Sequence, residues 1–492
     1  MSAGTSTITT GKRRHPGKVY PSLDAALDSV GIENGMTVSF HHHFREGDRV
    51  VVPVMQALAR RGLRDLVLAP SSLTTVHAPL VDLVRNGTIR SIRTSGLRGP
   101  LADAISDGLM DEPVLIHSHG GRARALDAGE ITVDVAFIGV PACDAQGNAN
   151  GTAGRSPCGS MGYAMVDARN ARKVILLTEE IAPYPLTPPS IRQDQVDAVV
   201  VVDSVGDPAG IGKGATRMTR DPRELLIAEN AARAIAAAGI LKDGFSMQTG
   251  SGGASLAMIR FIRSMMIDRN IRASFALGGI TSQLVSLHEE GLVGTLLDTQ
   301  SFDLDAARSL ARNPGHVEID ASYYANPCRK GCAVESLDVV VLSAMEVDVD
   351  LNVNVITGSD GVIRGASGGH CDTAAGAGLT IVVEPLIRGR IPTVMQKVTT
   401  IVTPGSSVDL LVTDRGMAVN PSRPELAAAL RAAGLPVRDI HDLKKLAESY
   451  TGVPRPVDFD DRVVARVEYR DGSIIDTIRR PSATAGTQGG SH

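Results

Sequence analysis

Three glycine-rich turns between strand-like and helix-like segments could hold an anion. They lie at 245–255, 365–370 and 95–100. Glycines let backbone N–H groups approach a negative charge, and a following helix N-terminus favours one. The spacing in the first turn matches neither a Walker loop nor a dinucleotide fingerprint. A glycine turn can also be only a tight connection, so these turns indicate anion-friendly loops without identifying a reaction.

Other reactive side chains give weaker signals. The run HHH at 41–43 ends an apparent strand, where adjacent side chains face opposite sides, and it favours a solvated loop. The segment SHGGR at 118–122 is equally ambiguous. The sequence contains no nucleophile elbow with Ser-His-Asp order and no H-E-x-x-H motif. The five cysteines are sparse, and only Cys328 and Cys332 are closely spaced, so we predict reduced thiols and no metal site.

Composition restricts the class of protein that must position these residues. The 492 residues exceed what one hydrophobic core usually holds. With no Trp and 3% aromatic residues, the core must consist mainly of small aliphatic side chains, which favours buried parallel strands. The net charge of −4 argues against a nucleic-acid partner. Without a long apolar stretch or an apolar signal core, we expect a cytoplasmic protein with no membrane partner.

The chain repeats itself over a long period. VDVAFIGVPACDAQGNAN begins at 133 and LDVVVLSAMEVDVDLNVN begins at 337, a shift of 204 residues. The shift carries Asp134 onto Asp338 and Asn148 onto Asn352, and a glycine-rich loop follows each copy. Strands alternate with helical patterns in both halves, which predicts βαβ units. A duplicated α/β domain explains these observations most simply.

We therefore predict two tandem related α/β domains with mainly parallel sheets, plus a C-terminal β-hairpin. The boundaries are a disordered basic tail at 1–20, a first domain at 21–212, a second domain with the hairpin at 213–480, and a disordered tail at 481–492. The hairpin is signalled by Asp471-Gly472 between two alternating runs. Two related lobes usually place their site in the crevice between the carboxyl ends of their strands.

Many segments in order resemble the citrate lyase α-subunit family. Among them are GMTVSFHHHFREGD, TSGLRGPLA, GFSMQTGSGGASLA and GASGGHCDTA, and the similarity runs from about residue 23 to the final hairpin. The resemblance implies the CoA-transferase fold for both domains. It also implies exchange of the acetyl group of acetyl-acyl-carrier protein for citrate, which gives citryl-acyl-carrier protein and acetate and feeds cleavage of citrate to oxaloacetate and acetate.

The resemblance also implies partners and a cofactor source. We expect an acyl-carrier (gamma) subunit, a citryl-lyase (beta) subunit and a homo-oligomer. We expect no permanently bound cofactor, because the reacting thiol belongs to the dephospho-CoA-derived prosthetic group of the carrier. Such a group would explain a need for phosphate-friendly glycine loops.

Site residues follow by matching this chain to the family and its wider fold. Related CoA-transferases that form an acyl-enzyme use a Glu, whereas the corresponding position here is Gln300, an amide that cannot act as a carboxylate nucleophile. We therefore predict direct exchange through a transient mixed anhydride, unless the register is shifted onto Asp298. The predicted catalytic residues are Gln300, Gly368 and Gly369; citrate is assigned to Arg45, Arg98, Asn148 and Asn352, and the thioester or carrier to Gly250, Gly252, Gly253 and His370.

Two other functions remain open at this point. A CoA-transferase acting on free acyl-CoA and a small acid such as citramalate would keep the glycine loops but need no carrier protein. A non-catalytic sensor or scaffold would share the fold. Each arginine could also be an ordinary surface residue.

Overall fold

The computed structural model describes residues 17–213, 218–250 and 252–482. Its strands are short and mostly aliphatic, as a low-aromatic α/β core requires. In chain order they are β1 (Val19–Tyr20), β2 (Thr37–Ser39), β3 (Leu66–Leu68), β4 (Ile89–Thr94), β5 (Val114–Ile116), β6 (Val135–Val140), β7 (Ala142–Asp144), β8 (Ala149–Asn150), β9 (Lys173–Thr178), β10 (Ile181–Ala182), β11 (Ala198–Val201), β12 (Ser246–Thr249), β13 (Ala273–Ile280), β14 (Val293–Ser301), β15 (His316–Glu318), β16 (Val339–Ser343), β17 (Glu346–Asp348), β18 (Val353–Asn354), β19 (Leu379–Val383), β20 (Ile387–Arg388), β21 (Ile391–Pro392), β22 (Val394–Met395), β23 (Leu410–Thr413), β24 (Gly416–Val419), β25 (Phe459–Glu468) and β26 (Ile474–Pro481).

The helices cover the sheets, and several of them begin at a side-chain cap. Asp221 accepts a hydrogen bond from the backbone N–H of Arg223 and Pro222 follows it, which explains where α7 begins. The helices are α1 (Leu23–Val30), α2 (Val51–Arg60), α3 (Leu80–Arg85), α4 (Pro100–Ser106), α5 (His119–Asp127), α6 (Gly162–Asn170), α7 (Pro222–Ala237), α8 (Gly253–Arg269), α9 (Ser282–Glu289), α10 (Leu304–Arg312), α11 (Ala321–Ala325), α12 (His370–Gly376), α13 (Pro424–Ala432) and α14 (Ile440–Thr451). Within the described ranges, no helix is long and apolar enough to cross a membrane.

Two large sheets share one strand order, which confirms the predicted duplication. The first runs β1-β11-β9-β6-β2-β3-β4-β5-β25-β26 and the second runs β15-β14-β13-β12-β16-β19-β23-β24. The two orders match when the first sheet is read from its other edge. Seven strands of the first sheet, β5-β4-β3-β2-β6-β9-β11, then correspond one by one to β15-β14-β13-β12-β16-β19-β23 of the second. Strand pairs within these seven-strand runs are parallel.

The repeated aspartates found in the sequence occupy equivalent places. Asp134 accepts a hydrogen bond from the backbone N–H of Thr37 at 2.9 Å, at the start of β2. Asp338 accepts one from the backbone N–H of Ser246 at 2.8 Å, at the start of β12. In each half the carboxylate therefore ties the segment before β6 or β16 to the neighbouring central strand.

The C-terminal hairpin forms as predicted but belongs to the other domain. We assigned it to the second domain, whereas β25 pairs in parallel with β5 of the first sheet, with Val467 opposite Ile116. Val464, Val467 and Ile478 are buried there. The hairpin covers the edge that β5 would otherwise expose, and an uncovered edge strand invites unwanted pairing.

Two residues that we assigned to the N-terminal tail form a strand. Val19 and Tyr20, assigned to the disordered tail, form β1 and pair in parallel with Val199 and Val200. The backbone N–H of Val199 also donates to the carbonyl of Lys18 at 2.7 Å, so the ladder begins one residue earlier. The rest of that tail, residues 1–16, and residues 483–492 of the C-terminal tail lie outside the described residues.

We predict that the hairpin contributes to the stability of the first domain. Replacing the fully buried Val467 by Ala should cost about 2 kcal/mol of unfolding free energy, because it removes buried methyl groups and leaves a cavity. Ile474→Ala on the same hairpin is the control, since Ile474 is 47% exposed and should change stability by only about 0.5 kcal/mol. Urea unfolding measures both. Equal effects of the two variants would contradict the placement of β25 in the first sheet.

Candidate active site

A cavity of about 230 Å³ lies between the two domains, at the carboxyl ends of strands from both sheets. This is where an α/β sheet ordinarily binds its ligand. Segments following β2 to β5, together with α6, supply the first-domain wall. The second-domain wall comes from the ends of β12, β13, β14 and β16, from α11 and from the loop at 366–370. The lining consists of His42, Arg45, Ser72, Thr74, Ser95, Arg98, His119, Tyr163, Gln248, Thr249, Gly250, Gly252, Gly278, Gly279, Gln300, Phe302, Tyr324, Leu342, Ser343, Ala366, Ser367, Gly368, Gly369 and His370.

Most of the site residues selected from the sequence meet in this cavity. The residues that line it are Gln300, Gly368, Gly369, Arg45, Arg98, Gly250, Gly252 and His370. Three of the selected residues do not line it, namely Asn148, Asn352 and Gly253. All three glycine-rich turns of the sequence contribute to the wall.

Asn148 and Asn352, which we predicted to bind citrate, lie outside the cavity as equivalent turn residues. The Asn148 amide donates to Asp144 at 2.7 Å, and the Asn352 amide donates to Asp348 at 3.1 Å. Each carbonyl oxygen accepts a backbone N–H, that of Gln193 for Asn148 and that of Gly405 for Asn352. The amide groups are therefore occupied in holding two related hairpin turns.

Gly253 also differs from its predicted role. It is the first residue of α8, and a Cβ placed on it would lie 2.8 Å from the Glu224 carboxylate and 3.1 Å from Thr219. The small size of Gly253 serves helix packing. Its neighbour Gly252 does line the cavity, where a Cβ would lie 2.1 Å from the Ser343 hydroxyl.

The loop 365–370 is fastened to the loop 95–97 of the other domain. The backbone N–H of Leu97 donates to Gly365 at 3.1 Å, and that of Ser367 donates to Ser95 at 2.8 Å. A Cβ on Gly96 would lie 2.1 Å from the Cβ of Ala366, so only glycine permits this approach. Two glycine turns from different domains thus form one joint at the cavity wall.

Gly368 and Gly369 continue this joint into α12. Gly368 has φ of 55°, which favours glycine, and its carbonyl accepts the backbone N–H of His119 at 2.8 Å. Gly369 precedes the first residue of α12, and a Cβ on it would lie 2.6 Å from the Tyr324 hydroxyl. The loop therefore presents backbone to the cavity at Gly368, whose φ favours glycine, and at Gly369, where a side chain has no room.

His370 holds the loop through both ring nitrogens. Nδ1 lies 2.7 Å from the Thr403 hydroxyl and Nε2 lies 3.1 Å from the carbonyl oxygen of Ser343. Burial lowers the pKa of His370 to about 4, so the ring is neutral near pH 7, with Nε2 as donor and Nδ1 as acceptor. The predicted thioester contact cannot use these nitrogens without breaking the present bonds.

Two arginines face the cavity without a carboxylate partner in the described structure. Arg45 has φ of 53°, a conformation uncommon for a residue with a side chain, and its guanidinium lies 5.0 Å from the centre of the Phe302 ring. Burial, and then the charge of Arg98, lowers the pKa of Arg45 to about 10, so it stays charged at neutral pH. Arg98 is exposed at the cavity mouth. The nearby Glu46 charge opposes the lowering of both arginine pKa values but forms no ion pair with either side chain among the described residues. Two cations at one cavity favour an anionic ligand.

The histidine run contradicts its predicted place in a solvated loop. His41, His42 and His43 are 5%, 9% and 4% exposed. His41 Nε2 lies 3.2 Å from Asp167, whose carboxylate also accepts two hydrogen bonds from Arg122. Asp167 of α6 thus joins His41 to Arg122 of α5, a contact that sequence spacing alone does not predict.

An aromatic stack that the sequence analysis missed forms part of the first-domain wall. The His42 ring lies 5.6 Å from that of His119 and 5.1 Å from that of Tyr163, and the latter two are 4.4 Å apart. Burial, followed by the charge of Arg122, lowers the pKa of His119 to about 3. The stack is therefore uncharged at neutral pH and leaves the arginines as the cations of the wall.

Several buried polar atoms of the lining have no hydrogen-bond partner among the described residues. They are Arg45 Nη1, His119 Nδ1, Gln248 Oε1, Thr249 Oγ1 and Ser367 Oγ. Buried polar atoms are nearly always paired in folded proteins, so their convergence on one cavity indicates a ligand rich in polar groups. Gln248 also donates through Nε2 to the Tyr324 hydroxyl at 2.9 Å.

The lining carries no acidic nucleophile in the part of the chain that the structure describes, since none of its residues is Asp, Glu or Cys. Gln300 lines the cavity and donates through Nε2 to the carbonyl of His42 at 3.1 Å. Asp298, the alternative in a shifted register, lies outside the cavity and is fully buried. Its carboxylate accepts from Ser301 at 2.6 Å and lies 3.1 Å from His316, and burial raises its pKa.

Comparison with known proteins identifies the family of this chain. Residues 16–481 match the family model for the alpha subunit of citrate lyase. The chain is 60% identical over 463 residues to the citrate lyase alpha chain of Escherichia coli K12, covering 94% of this chain and 91% of that one. It is 58% identical to the Klebsiella pneumoniae citrate lyase alpha chain, covering 98% and 94%.

Solved structures give the same assignment. A Streptococcus mutans protein described as an alpha subunit of citrate lyase, in complex with citrate, is 51% identical with a TM-score of 0.94, covering 98% of this chain and 96% of that one. A malonate decarboxylase alpha subunit from Acinetobacter baumannii, 18% identical with a TM-score of 0.65 and covering 90% and 96%, shares the CoA-transferase-like fold alone. With the family model and the relatives spanning nearly the whole chain, this protein belongs to the citrate lyase alpha-subunit family.

Proposed function

We propose that the interdomain cavity exchanges acetate for citrate on an acyl-carrier thioester by direct acyl transfer. Members of this family are transferase subunits of citrate lyase. The single observation that supports the direct route is a lining that contains two arginines and, within the described residues, no carboxylate or thiol. A citrate carboxylate would attack the acetyl thioester and expel the thiolate. The thiolate would then attack the citryl carbonyl of the mixed anhydride and expel acetate.

Arg45 and Arg98 would bind the carboxylates of citrate. A guanidinium can donate two parallel hydrogen bonds to one carboxylate, and the buried Nη1 of Arg45 has no hydrogen-bond partner among the described residues. The Streptococcus mutans relative, solved with citrate, supports citrate as the acid. Holding the carboxylate beside the thioester turns an encounter between two molecules into an intramolecular step.

Hydrogen-bond donors at the cavity would stabilise the oxygen anions that form in both steps. Candidate donors in the lining are the hydroxyls of Thr249 and Ser367, which have no partner among the described residues, and the backbone around Gly368 and Gly369. Preorganised donors act most strongly where water is excluded. The enclosed position between two domains also protects an anhydride from hydrolysis.

The family places this chain in a citrate lyase complex with other subunits. We further propose that these are an acyl-carrier subunit and a citryl-lyase subunit, and that the chain forms a homo-oligomer in the cytoplasm. The reacting thiol would come from the dephospho-CoA-derived group of the carrier. The protein itself would then need no permanently bound cofactor.

The proposed exchange is tested with purified protein, acetylated carrier and isotopically labelled citrate. Mass spectrometry of the carrier should show acetyl replaced by citryl, with one acetate released for each citrate bound. In a parallel reaction, free acetyl-CoA should be a much poorer acyl donor than the carrier. Preference for free acetyl-CoA, or for citramalate over citrate, would instead identify the enzyme as a CoA-transferase for another pair of substrates.

We predict that Gly369→Val lowers the exchange rate at least about tenfold, equivalent to about 1.4 kcal/mol of activation free energy. The added side chain would meet the Tyr324 hydroxyl and displace the loop at the cavity wall. Gly17→Val is the matched control, because a Cβ on Gly17 has no atom within 4 Å. Thermal unfolding is measured beside the rate. A folded Gly369→Val protein with unchanged exchange would remove this loop from the site.

We predict that Arg45→Gln weakens citrate binding at least about tenfold, or about 1.4 kcal/mol of binding free energy. The amide retains polarity but loses the charge and the paired N–H geometry of guanidinium. Arg308→Gln is the control, because Arg308 is exposed and pairs with Asp305 on α10. Titration calorimetry with citrate measures both variants. Equal affinities for Arg45→Gln and Arg308→Gln would show that Arg45 does not bind the acid.

A further inference from the structure

His42 is held at the cavity wall from three directions. Its ring stacks on those of His119 and Tyr163. Its backbone N–H donates to the Ser71 hydroxyl at 3.0 Å, and its carbonyl accepts the Gln300 amide from the other domain at 3.1 Å. A ring fixed by contacts from both domains has little freedom to turn, so the direction of its nitrogens is set before substrate binds.

The Ser71 contact assigns the proton on the His42 ring. Nδ1 lies 2.6 Å from the Ser71 hydroxyl oxygen, which already accepts the backbone N–H of His42. Within the described residues, Nδ1 is the only acceptor near the Ser71 hydroxyl hydrogen. The hydroxyl therefore donates to Nδ1, and the proton of a neutral ring resides on Nε2.

The surroundings keep this ring neutral. Burial has the largest effect in holding the pKa of His42 well below its ordinary value. Electrostatic interaction with His119 comes next, followed by the charge of Arg45 and by smaller effects of His43 and His41. Tyr163, the remaining titratable group against the ring, has a pKa raised well above its ordinary value and is uncharged as well. Near pH 7 the ring is therefore a donor and not a cation.

The Nε2 side of the ring is the one available to substrate. His42 lines the cavity, and its Nδ1 is occupied by Ser71. Among the described residues, Nε2 has no hydrogen-bond partner, and it is not one of the fully buried unpaired atoms. The N–H at Nε2 can therefore reach a group bound in the cavity.

We propose that His42 is a catalytic residue that donates a hydrogen bond from Nε2 to the carbonyl oxygen of the reacting thioester, and that Ser71 and Gln300 are its positioning residues. This inference rests on the proposed exchange function. As the citrate carboxylate oxygen bonds to the thioester carbon, the carbonyl π electrons move to oxygen and the N–H bond of His42 stabilises that anion. Collapse restores the carbonyl and expels the thiolate, and the proton stays on Nε2 throughout.

Two substitutions separate this role from a packing role. His42→Phe keeps a flat ring for the stack but removes the donor, whereas His42→Gln removes the ring but keeps an amide N–H. We expect His42→Phe to lower kcat for exchange about a hundredfold, the usual effect of losing one oxyanion donor, and His42→Gln to lose less. Calorimetry should give a citrate affinity within about threefold of wild type for both variants. His441→Ala, at an exposed position of α14, is the control.

The opposite order, with His42→Phe active and His42→Gln impaired, would overturn the proposal by showing that only stacking matters. If His42→Phe fails to fold, His42→Ala replaces it, and exchange by His42→Ala within about threefold of wild type would also overturn the proposal.

The ratio of wild-type to variant kcat should stay constant from about pH 6 to pH 8, because a neutral donor does not titrate there. A ratio that falls with acid would identify a titrating base instead. Wild-type protein without any exchange would refute the proposed function and not this role alone.

Discussion

Backbone hydrogen bonds between two glycine loops hold the two domains in the relation on which the cavity depends. Leu97 and Ser367 each donate across the boundary, and Gly96 allows Ala366 to approach without a clash. Beside this joint, the buried Asp372 carboxylate accepts from the Ser118 hydroxyl and from the backbone N–H of Gly120, both at 2.8 Å. These contacts bring the carboxyl ends of two similar sheets together, so neither domain forms the cavity alone.

The charges around the cavity are arranged for an anionic substrate. Burial lowers the pKa values of the histidines in the wall, so that they donate or accept hydrogen bonds without adding charge. Arg45 and Arg98 supply the positive charge of a lining that contains no carboxylate among the described residues. Gln300 adds an amide where a carboxylate would repel citrate. The amide of Gln300 cannot act as a carboxylate nucleophile and also suits the binding of a polyanion.

The sequence predicted features that depend on local chemistry or on repetition. Glycine turns, capped helices such as α7, and the 204-residue repeat can be read from residue types and spacing, and the structure confirms them. The strand that pairs with β25 could not be predicted, because the partner of an edge strand is set by contacts distant in sequence. The buried state of His41 to His43 depends in the same way on Asp167, Ser71 and Gly139, which belong to other elements. Asn148 and Asn352 were correctly paired by the repeat, but a repeated polar residue can serve a turn as well as a ligand.

The central claim is that citrate attacks the thioester directly, with no acyl group passed to the enzyme. The most direct measurement is a single turnover with acetylated carrier and citrate labelled with heavy oxygen in its carboxylates, followed by mass analysis of the released acetate. Direct exchange through the mixed anhydride transfers one labelled oxygen from citrate to acetate in the first turnover. Unlabelled acetate from the first turnover would mean that its oxygen came from an enzyme carboxylate or from water, and would contradict the account.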